Sequence, residues 1–142
     1  MDELSILEKL QANFDEMIEI RRHLHMYPEL SFKEVNTPKL IAEKLASFGI
    51  EVKENVGGSG VVGFLKGAFD GPTIAFRADF DALPIQDEKD VSYKSKIDGI
   101  SHACGHDIHT AALLGLAKAL ADARELLHGN IVFIHQFAEE VV

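Results

Sequence analysis

Cysteine, basic residues and long apolar runs are all scarce in this sequence. The single cysteine cannot form an internal disulfide, which favours a reducing, cytoplasmic setting. Fourteen basic against 23 acidic side chains leave a formal net charge of −9. That charge argues against nucleic acid or a membrane as a partner and favours a bound cation. No stretch approaches the roughly 18 consecutive apolar residues of a membrane span, and the acidic, amphipathic start of the chain is unlike a signal peptide.

What the sequence does contain is the composition of an ordinary globular domain. Hydrophobic residues make up 46% and charged residues 26% of the 142 residues, which is enough apolar material to bury a core. We expect residues 1–142 to form one domain, or one lobe of a larger one, with no internal repeat or linker.

The spacing of apolar residues predicts three helices and four strands. The helices are expected over residues 3–25, 37–49 and 111–124, and the strands over residues 50–56, 61–66, 73–79 and 130–137. The glycine-rich residues 57–60 are interpreted as a hairpin turn. A phosphate-binding loop is the alternative, but no helix is predicted after these residues and the lysine-hydroxyl ending of such a loop is missing.

The last predicted strand indicates how the sheet is built. Residues 130–137 are apolar on both faces, which is typical of a central strand that a helical crossover connects to a parallel neighbour. We therefore expect an α/β fold, with three layers in the order α/β/α and a mixed, mostly parallel sheet.

The only cysteine lies in a histidine-rich stretch, residues 98–110. Cys104 and His106 are two residues apart, so they cannot share one face of a helix, where neighbours are three or four residues apart. They can converge on one ion only in a loop or in the first turn of the following helix, which Asp107 or Thr110 would cap and where the macrodipole favours a thiolate. Thiolate and imidazole suit zinc and similar ions. A buried thiol beside a surface histidine is the alternative.

Acidic residues follow two of the predicted strands. Asp79 and Asp81 come at the end of one strand, and Glu139 and Glu140 follow the last one. Ligands of open α/β sheets bind at the carboxyl ends of strands, so these acids are candidate site residues, although acids that bond loop amides are the alternative for the aspartates. Neighbouring residues of a strand point in opposite directions, so the two glutamates need a backbone turn to share one task. Metal-bound water with a carboxylate base is a standard means of hydrolysing an amide.

Four motifs in the chain resemble those of one enzyme family. They are RRHLHMYPELSF (residues 21–32), RADFDALP (77–84), HACGHDIHTA (102–111) and QFAEE (136–140). In this order and spacing they resemble the metal-dependent amidohydrolases. That family includes N-acyl-amino-acid amidohydrolases, auxin-conjugate hydrolases and N-acetyl-diaminopimelate deacetylases, and it is related to the aminoacylase and carboxypeptidase metallopeptidases.

The resemblance implies which residues form the active site. Carried over position by position, Cys104, His106 and Glu140 are metal ligands, and Glu139 is the general base that takes a proton from water. A complete site of this family holds two divalent ions, for which zinc, manganese, nickel and cobalt are the candidates. The implied substrate is a small N-acyl amino acid.

Other motif residues are less simply assigned by the resemblance. Asp79 falls where the wider superfamily has an acid that orients a metal-binding histidine, but Arg77 stands at that histidine's position here. His109 is expected to support the site or to pack beside it. Phe137 replaces the usual proline of the last motif, which bears on the turn between the two glutamates.

The resemblance covers only the first part of the family's catalytic domain. It implies that later metal ligands and a dimerisation domain are missing, so the isolated chain is expected to be inactive. One alternative is half of a split enzyme, and another is a non-catalytic association domain that forms a homo-oligomer or binds a complementing chain. A metal-free, flavodoxin-like binding domain is the third.

Overall fold

The structure, a computed structural model, describes residues 3–141. Over these residues the chain forms four α-helices, four strands and one short 3₁₀ turn. In chain order they are α1 (Glu3–Ala12), α2 (Phe14–Met26), α3 (Asn36–Ser47), β1 (Glu51–Val56), β2 (Gly60–Lys66), β3 (Phe69–Asp79), α4 (His106–Asp122), the 3₁₀ turn (Arg124–Leu126) and β4 (His128–Gln136).

The four strands form one mixed sheet in the order β1-β2-β4-β3. β1 and β2 are antiparallel and pair next to the glycine-rich residues, with Val56 opposite Gly60, which confirms the hairpin turn. β2 and β4 are also antiparallel, whereas β3 and β4 are parallel. The predicted α/β class, the mixed sheet and the central position of β4 are confirmed. Within the described residues, however, only the β3–β4 pair is parallel, so this part of the sheet is less parallel than expected.

The helices pack against one face of the sheet. α4 connects β3 to β4 as the predicted crossover, and its Leu114 is fully buried together with Phe133 of β4. Ile41 and Leu45 of α3 belong to the same core cluster. On the opposite face, Phe64 of β2 is 37% exposed. Residues 3–141 therefore contribute one helical layer and the sheet.

The amino-terminal helix is interrupted, unlike the single helix predicted over residues 3–25. α1 ends at Ala12 and α2 begins at Phe14, on either side of Asn13. The backbone of Asn13 has φ −97° and ψ 2°, outside helical values, and asparagine is a weak helix former. None of the helices among residues 3–141 is long and apolar enough to cross a membrane.

The start of α3 is held by a residue that lies outside the helix. Both carboxylate oxygens of Glu29 accept backbone hydrogen bonds, at 3.0 Å from Val35 and Asn36 and at 2.6 Å from Thr37. Thr37, where the second helix is predicted to begin, lies inside α3, and Glu29 satisfies the free amides of the first turn.

Candidate metal centre

Three segments of the fold meet at one edge of the sheet. β3 ends at Asp79 and β4 ends at Gln136, and these two residues are partners in the parallel register. α4 begins at His106. Because parallel strands end at the same edge, the residues after β3, after β4 and at the start of α4 lie close together there, as predicted.

α4 begins five residues before the position predicted for it. Gly105 precedes the helix with φ 89°, a left-handed conformation that suits glycine. Neither predicted capping residue bonds the free amides of the first turn. Thr110 donates its hydroxyl hydrogen to the carbonyl of Asp79 at 2.8 Å, and Asp107 accepts a hydrogen bond from Arg21 at 2.9 Å. Tertiary partners compete successfully for both side chains, so His106 itself occupies the first helical position.

The buried imidazole of His106 is the centre of the site. Its Nδ1 lies 3.1 Å from Oδ1 of Asp81. Its Nε2 faces three carboxylates, at 3.4 Å from Oε1 of Glu140, 3.5 Å from Oδ2 of Asp79 and 3.6 Å from Oε2 of Glu139. One ring nitrogen is therefore held by a carboxylate, and the other points into a strongly acidic cluster.

The two glutamates reach the same imidazole because the backbone turns before them. Ala138 has φ 48°, which ends the extended conformation of β4. The amide of Ala138 donates to Oε1 of Glu34 at 2.8 Å, and this bond anchors the turn. The condition for Glu139 and Glu140 to act on one site is thereby met.

Phe137 is accommodated beside this turn. Its ring packs edge-on against Phe32 at a centroid distance of 5.8 Å. It also covers Gly58 of the hairpin turn so closely that a Cβ atom at Gly58 would lie 2.6 Å from the ring. The aromatic residue at the usual proline position is thus compatible with the turn that brings the glutamates together.

Cys104 is exposed, so the alternative of a buried thiol is wrong. The adjacent Glu140 carboxylate and the negative charge of Glu139 raise the pKa of the Cys104 thiol, because both disfavour a second anion beside them. The expected preference for a thiolate at the helix start is therefore not seen, because carboxylates outweigh the helix dipole. A divalent cation bound among these groups would instead lower the pKa of the Cys104 thiol.

The described residues contain two groups of side chains that could hold an ion. Cys104, His106 and Glu140 form one, and Asp79, His106 and His109 form the other; in each, the donor atoms lie within 4.8 Å of one another. The first group is the set of ligands that the sequence predicted, and its mixture of sulfur, nitrogen and oxygen suits zinc and similar ions. Oε1 of Glu140 is buried without a hydrogen-bond partner, and a cation would satisfy it.

Asp79 is engaged by two basic side chains. Nη1 of Arg77 donates to its Oδ2 at 2.8 Å, and Nδ1 of His109 lies 2.7 Å from its Oδ1. Burial would raise the pKa of Asp79, but the hydrogen bond from His109 and the charge of His106 outweigh it and lower that pKa. Asp79 is accordingly an anion beside the cluster, and His109 supports it, as expected.

Asp81 is the site residue that the sequence indicated least. It is buried, with 1% of its surface exposed, and besides His106 it contacts Ser31 and the amide of Glu140. Burial would raise the pKa of Asp81, yet these hydrogen bonds lower it. Its position after a strand made it a candidate, but no sequence pattern shows that it reaches residues 50 positions before and 59 positions after it.

Comparisons with known proteins show what this chain is similar to. The sequence profile of Peptidase family M20/M25/M40 matches residues 75–142. YhaA of Bacillus subtilis (strain 168), provisionally named an amidohydrolase, is 58% identical over 135 residues, which are 95% of this chain and 34% of that protein. An N-acetylcysteine deacetylase of the same bacterium is 48% identical over 126 residues, 88% of this chain and 33% of that protein.

Solved structures show the same fold. The crystal structure of the Bacillus subtilis YxeP protein, described as a dinuclear metal binding peptidase from the M20 family, superimposes with a TM-score of 0.87 and 47% identity. The match covers 92% of this chain and 37% of that one. The chain thus spans about a third of the length of the relatives it matches, and the resemblance inferred from its motifs is confirmed.

Proposed function

We propose, from the premise that the chain belongs to the metal-dependent amidohydrolases of peptidase family M20/M25/M40, that it supplies part of a metal centre for amide hydrolysis. Cys104, His106 and Glu140 bind a divalent ion, and Glu139 is the general base. The observation that carries this proposal is the unpartnered Oε1 of Glu140, which is buried 3.4 Å from Nε2 of His106. A cation between these two atoms would satisfy both.

The three donors suit one ion that keeps an open coordination position. Catalytic zinc sites have three protein ligands and leave one position open. Zinc, manganese, nickel and cobalt are the candidate ions, and when bound such an ion supplies Lewis acidity and an activated water for attack on an amide carbonyl. Three donors cannot fill two complete sites. A second ion therefore needs ligands from a further segment, in addition to Asp79 and His109.

The different exposure of the two glutamates supports their different roles. The side chain of Glu140 is 18% exposed, and its backbone amide is held by Asp81 at 3.0 Å. The side chain of Glu139 is 35% exposed, and its Oε2 lies 3.6 Å from Nε2 of His106. The more buried and better-held carboxylate is suited to ligation, whereas the more accessible one can accept a proton and give it to the leaving amine.

The relatives support a proposal for the substrate and for the state of the chain. A small N-acyl amino acid is the proposed substrate, in line with the deacetylase to which the chain is similar. We further propose that residues 1–142 form the amino-terminal portion of the catalytic domain of a cytoplasmic hydrolase. The partial coverage of its relatives and the single cysteine support this proposal. The chain by itself binds metal but lacks the residues that would complete the site and orient a substrate, so its hydrolytic activity requires a complementing segment.

Metal content of purified variants tests this proposal. The chain should bind about one zinc ion, which Cys104→Ala and Glu140→Gln should each abolish or strongly weaken. Glu139→Gln is the matched control, because it makes the same change at the adjacent residue and should retain the ion. Unchanged stoichiometry in both ligand variants, or equal loss in the two glutamate variants, would refute the assignment.

An association domain is the second candidate function, and exposed residues on an edge strand favour it. β3 lies at the edge of the sheet formed by the described residues, and Ile74 and Phe76 on it are 50% and 38% exposed. Such an edge pairs readily with another strand, supplied by a second copy or by a complementing chain. Light scattering of the purified chain should then give a mass above that of one chain, and Ile74→Lys should reduce it. A monomer at all concentrations would exclude self-association.

A further inference from the structure

A cleft lies between the start of α3 and the β1–β2 hairpin, and we call it the α3–hairpin cleft. Its volume is about 350 Å³, which is at the small end of the range for ligand sites in proteins. Val35 and Pro38 line it on the helix side, and Asn55 and Ser59 line it on the hairpin side. None of the proposed metal ligands lines this cleft, so a ligand in it would occupy a separate site.

Two side chains that line the α3–hairpin cleft have buried polar atoms without hydrogen-bond partners. Glu34 has 5% of its surface exposed, and its Oε2 has no partner among residues 3–141. Oγ of Ser59 is also buried without a partner in this part of the chain. A carboxylate oxygen and a hydroxyl oxygen both accept hydrogen bonds, and leaving buried acceptors unpaired is unfavourable. A ligand that donates hydrogen bonds would satisfy both atoms.

The carboxylate of Glu34 is held in place before any ligand binds. Its Oε1 accepts a hydrogen bond from the amide of Ala138 at 2.8 Å, so the position of Oε2 is restricted as well. Such preorganisation lowers the cost of binding a ligand. Burial raises the pKa of Glu34, and a positively charged donor beside it would favour the ionised carboxylate. A cationic donor is therefore a better partner for Oε2 than a neutral one.

The arrangement of ligand atoms favours an organic cation over a metal ion. Residues 3–141 contain two groups of side chains that could hold a metal ion, and Glu34 belongs to neither. A divalent ion needs several ligand atoms that converge on one point. An ammonium group needs only acceptors for its three hydrogens, and Glu34 and Ser59 each supply one. Glu54 also lines the cleft and adds a second negative charge.

The α3–hairpin cleft also has one positively charged side chain. Lys39, in the first turn of α3, is exposed and lines the cleft. The lysines that form ion pairs among residues 3–141 are Lys44, Lys89 and Lys118, so Lys39 has no carboxylate partner within these residues. A ligand that carries both an ammonium and a carboxylate group matches a cleft in which carboxylates and a lysine lie together.

We propose that the α3–hairpin cleft binds a small zwitterionic α-amino acid, whose ammonium group donates to Oε2 of Glu34 and Oγ of Ser59 and whose carboxylate pairs with Lys39. An N-acylated amino acid lacks the ammonium group, since its amide nitrogen is uncharged and carries one hydrogen. The cleft therefore selects free amino acids. The site itself does not depend on the proposed metal centre. Resting on the proposed function, the cleft accepts the amino acid product of amide hydrolysis and rejects the substrate.

Titration of the metal-free, 142-residue chain with L-alanine tests the proposal. Backbone amide chemical shifts around Ser59 and Lys39 should change in a saturable manner and give a dissociation constant. N-acetyl-L-alanine should bind at least roughly tenfold more weakly, because it loses the charged hydrogen bonds to Glu34. L-alaninamide keeps the ammonium group but lacks the carboxylate, so it should lose only about two- to fivefold, as expected for an exposed ion pair with Lys39.

Variants of the lining residues locate the binding site. Glu34→Gln keeps an acceptor for the Ala138 amide but removes the charge, so L-alanine should bind at least roughly tenfold more weakly. Glu51→Gln is the matched control, because Glu51 is an exposed glutamate of β1 that does not line the cleft; its affinity for L-alanine should be unchanged. Ser59→Ala should weaken binding by roughly two- to tenfold and keeps the test available if Glu34→Gln does not fold.

The outcomes distinguish this inference from the proposed function. Absence of saturable shifts with L-alanine overturns the amino-acid site, and so does equal affinity for L-alanine and N-acetyl-L-alanine. Unchanged affinity in Glu34→Gln or in Ser59→Ala also overturns it. Each of these results leaves the zinc content of the chain, and hence the metal centre, untouched. If the chain binds L-alanine through Glu34 but binds no zinc, the amino-acid site stands and the metal centre is what fails.

Discussion

The chain should lose stability in mild acid in part because His135 is buried in its neutral form. His135 lies on the central strand β4 with 1% of its surface exposed. Its Nδ1 is 3.2 Å from the hydroxyl of Thr110, which uses its only hydrogen to bond the carbonyl of Asp79. Nδ1 must therefore be the donor, and Nε2 is left buried without a partner. Burial lowers the pKa of His135 to about 3, because a charge at Nε2 would not be solvated.

The sign and size of the effect follow from this pKa. The ordinary value for histidine is 6.5, so the unfolded chain takes up the proton first as the pH falls. The stabilisation is fully present above pH 6.5 and is lost progressively between that pH and pH 3. At pH 5 the loss relative to pH 7.5 is about 2 kcal/mol, which is a substantial fraction of the roughly 5–15 kcal/mol by which domains are stable.

Urea unfolding at pH 7.5 and pH 5.0 measures this loss in His135→Asn. Asparagine keeps a donor near Thr110 but cannot titrate, so the variant should be less stable at pH 7.5 and should lose about 2 kcal/mol less than the unsubstituted chain on acidification. Val61→Ala is the control, because Val61 is buried and is the register partner of His135. It should lower stability equally at both pH values. If His135→Asn shows the same pH dependence as the unsubstituted chain, the buried neutral imidazole is not the cause.

Three further predictions concern packing and metal binding. Gly58→Ala should lower the melting temperature, since φ is +148° there and the new methyl group would meet the Phe137 ring; unchanged melting would contradict the close contact. Leu114→Ala should reduce the free energy of unfolding by about 2–5 kcal/mol, whereas Leu7→Ala, at a side chain that is 50% exposed, should change it by less than about 0.5 kcal/mol. Zinc at about 100 times its dissociation constant should stabilise the chain by about 2.7 kcal/mol in a melting experiment, and Cys104→Ala should remove this gain.

Features that depend on neighbours in sequence were predictable. The hairpin at residues 57–60 follows from glycines between two short apolar runs, and its strands pair as expected. The central strand was recognised because residues 130–137 are apolar on both faces, and β4 is indeed flanked by β2 and β3. Local patterns were less successful at element ends. The start of α4 at His106 depends on tertiary partners that compete for the predicted capping side chains. The break at Asn13 is a local feature that the apolar spacing did not reveal.

The candidate site was also only partly predictable from the sequence. Cys104, His106, Glu139 and Glu140 could be named from motifs, because their residue types and spacing are characteristic of metal chemistry. The sequence could not predict which carboxylate contacts which ring nitrogen of His106. Asp81 lies 25 residues before His106 and Asp79 lies 30 residues before His109, and no local preference determines distances over such separations.

By itself, then, the sequence determined the chemical character of this protein: an acidic α/β chain whose cysteine, histidine and glutamates resemble those of metal-dependent amidohydrolases. The tertiary structure alone decided that both glutamates face one imidazole, that Asp81 reaches His106 and Glu140 together, and that carboxylates raise the pKa of the Cys104 thiol at a helix start. The physical reason is that residue types and their spacing act over a few positions of the chain. Electrostatic and hydrogen-bonding partners are chosen by the packing of a helix and two strands that meet at one edge of a sheet.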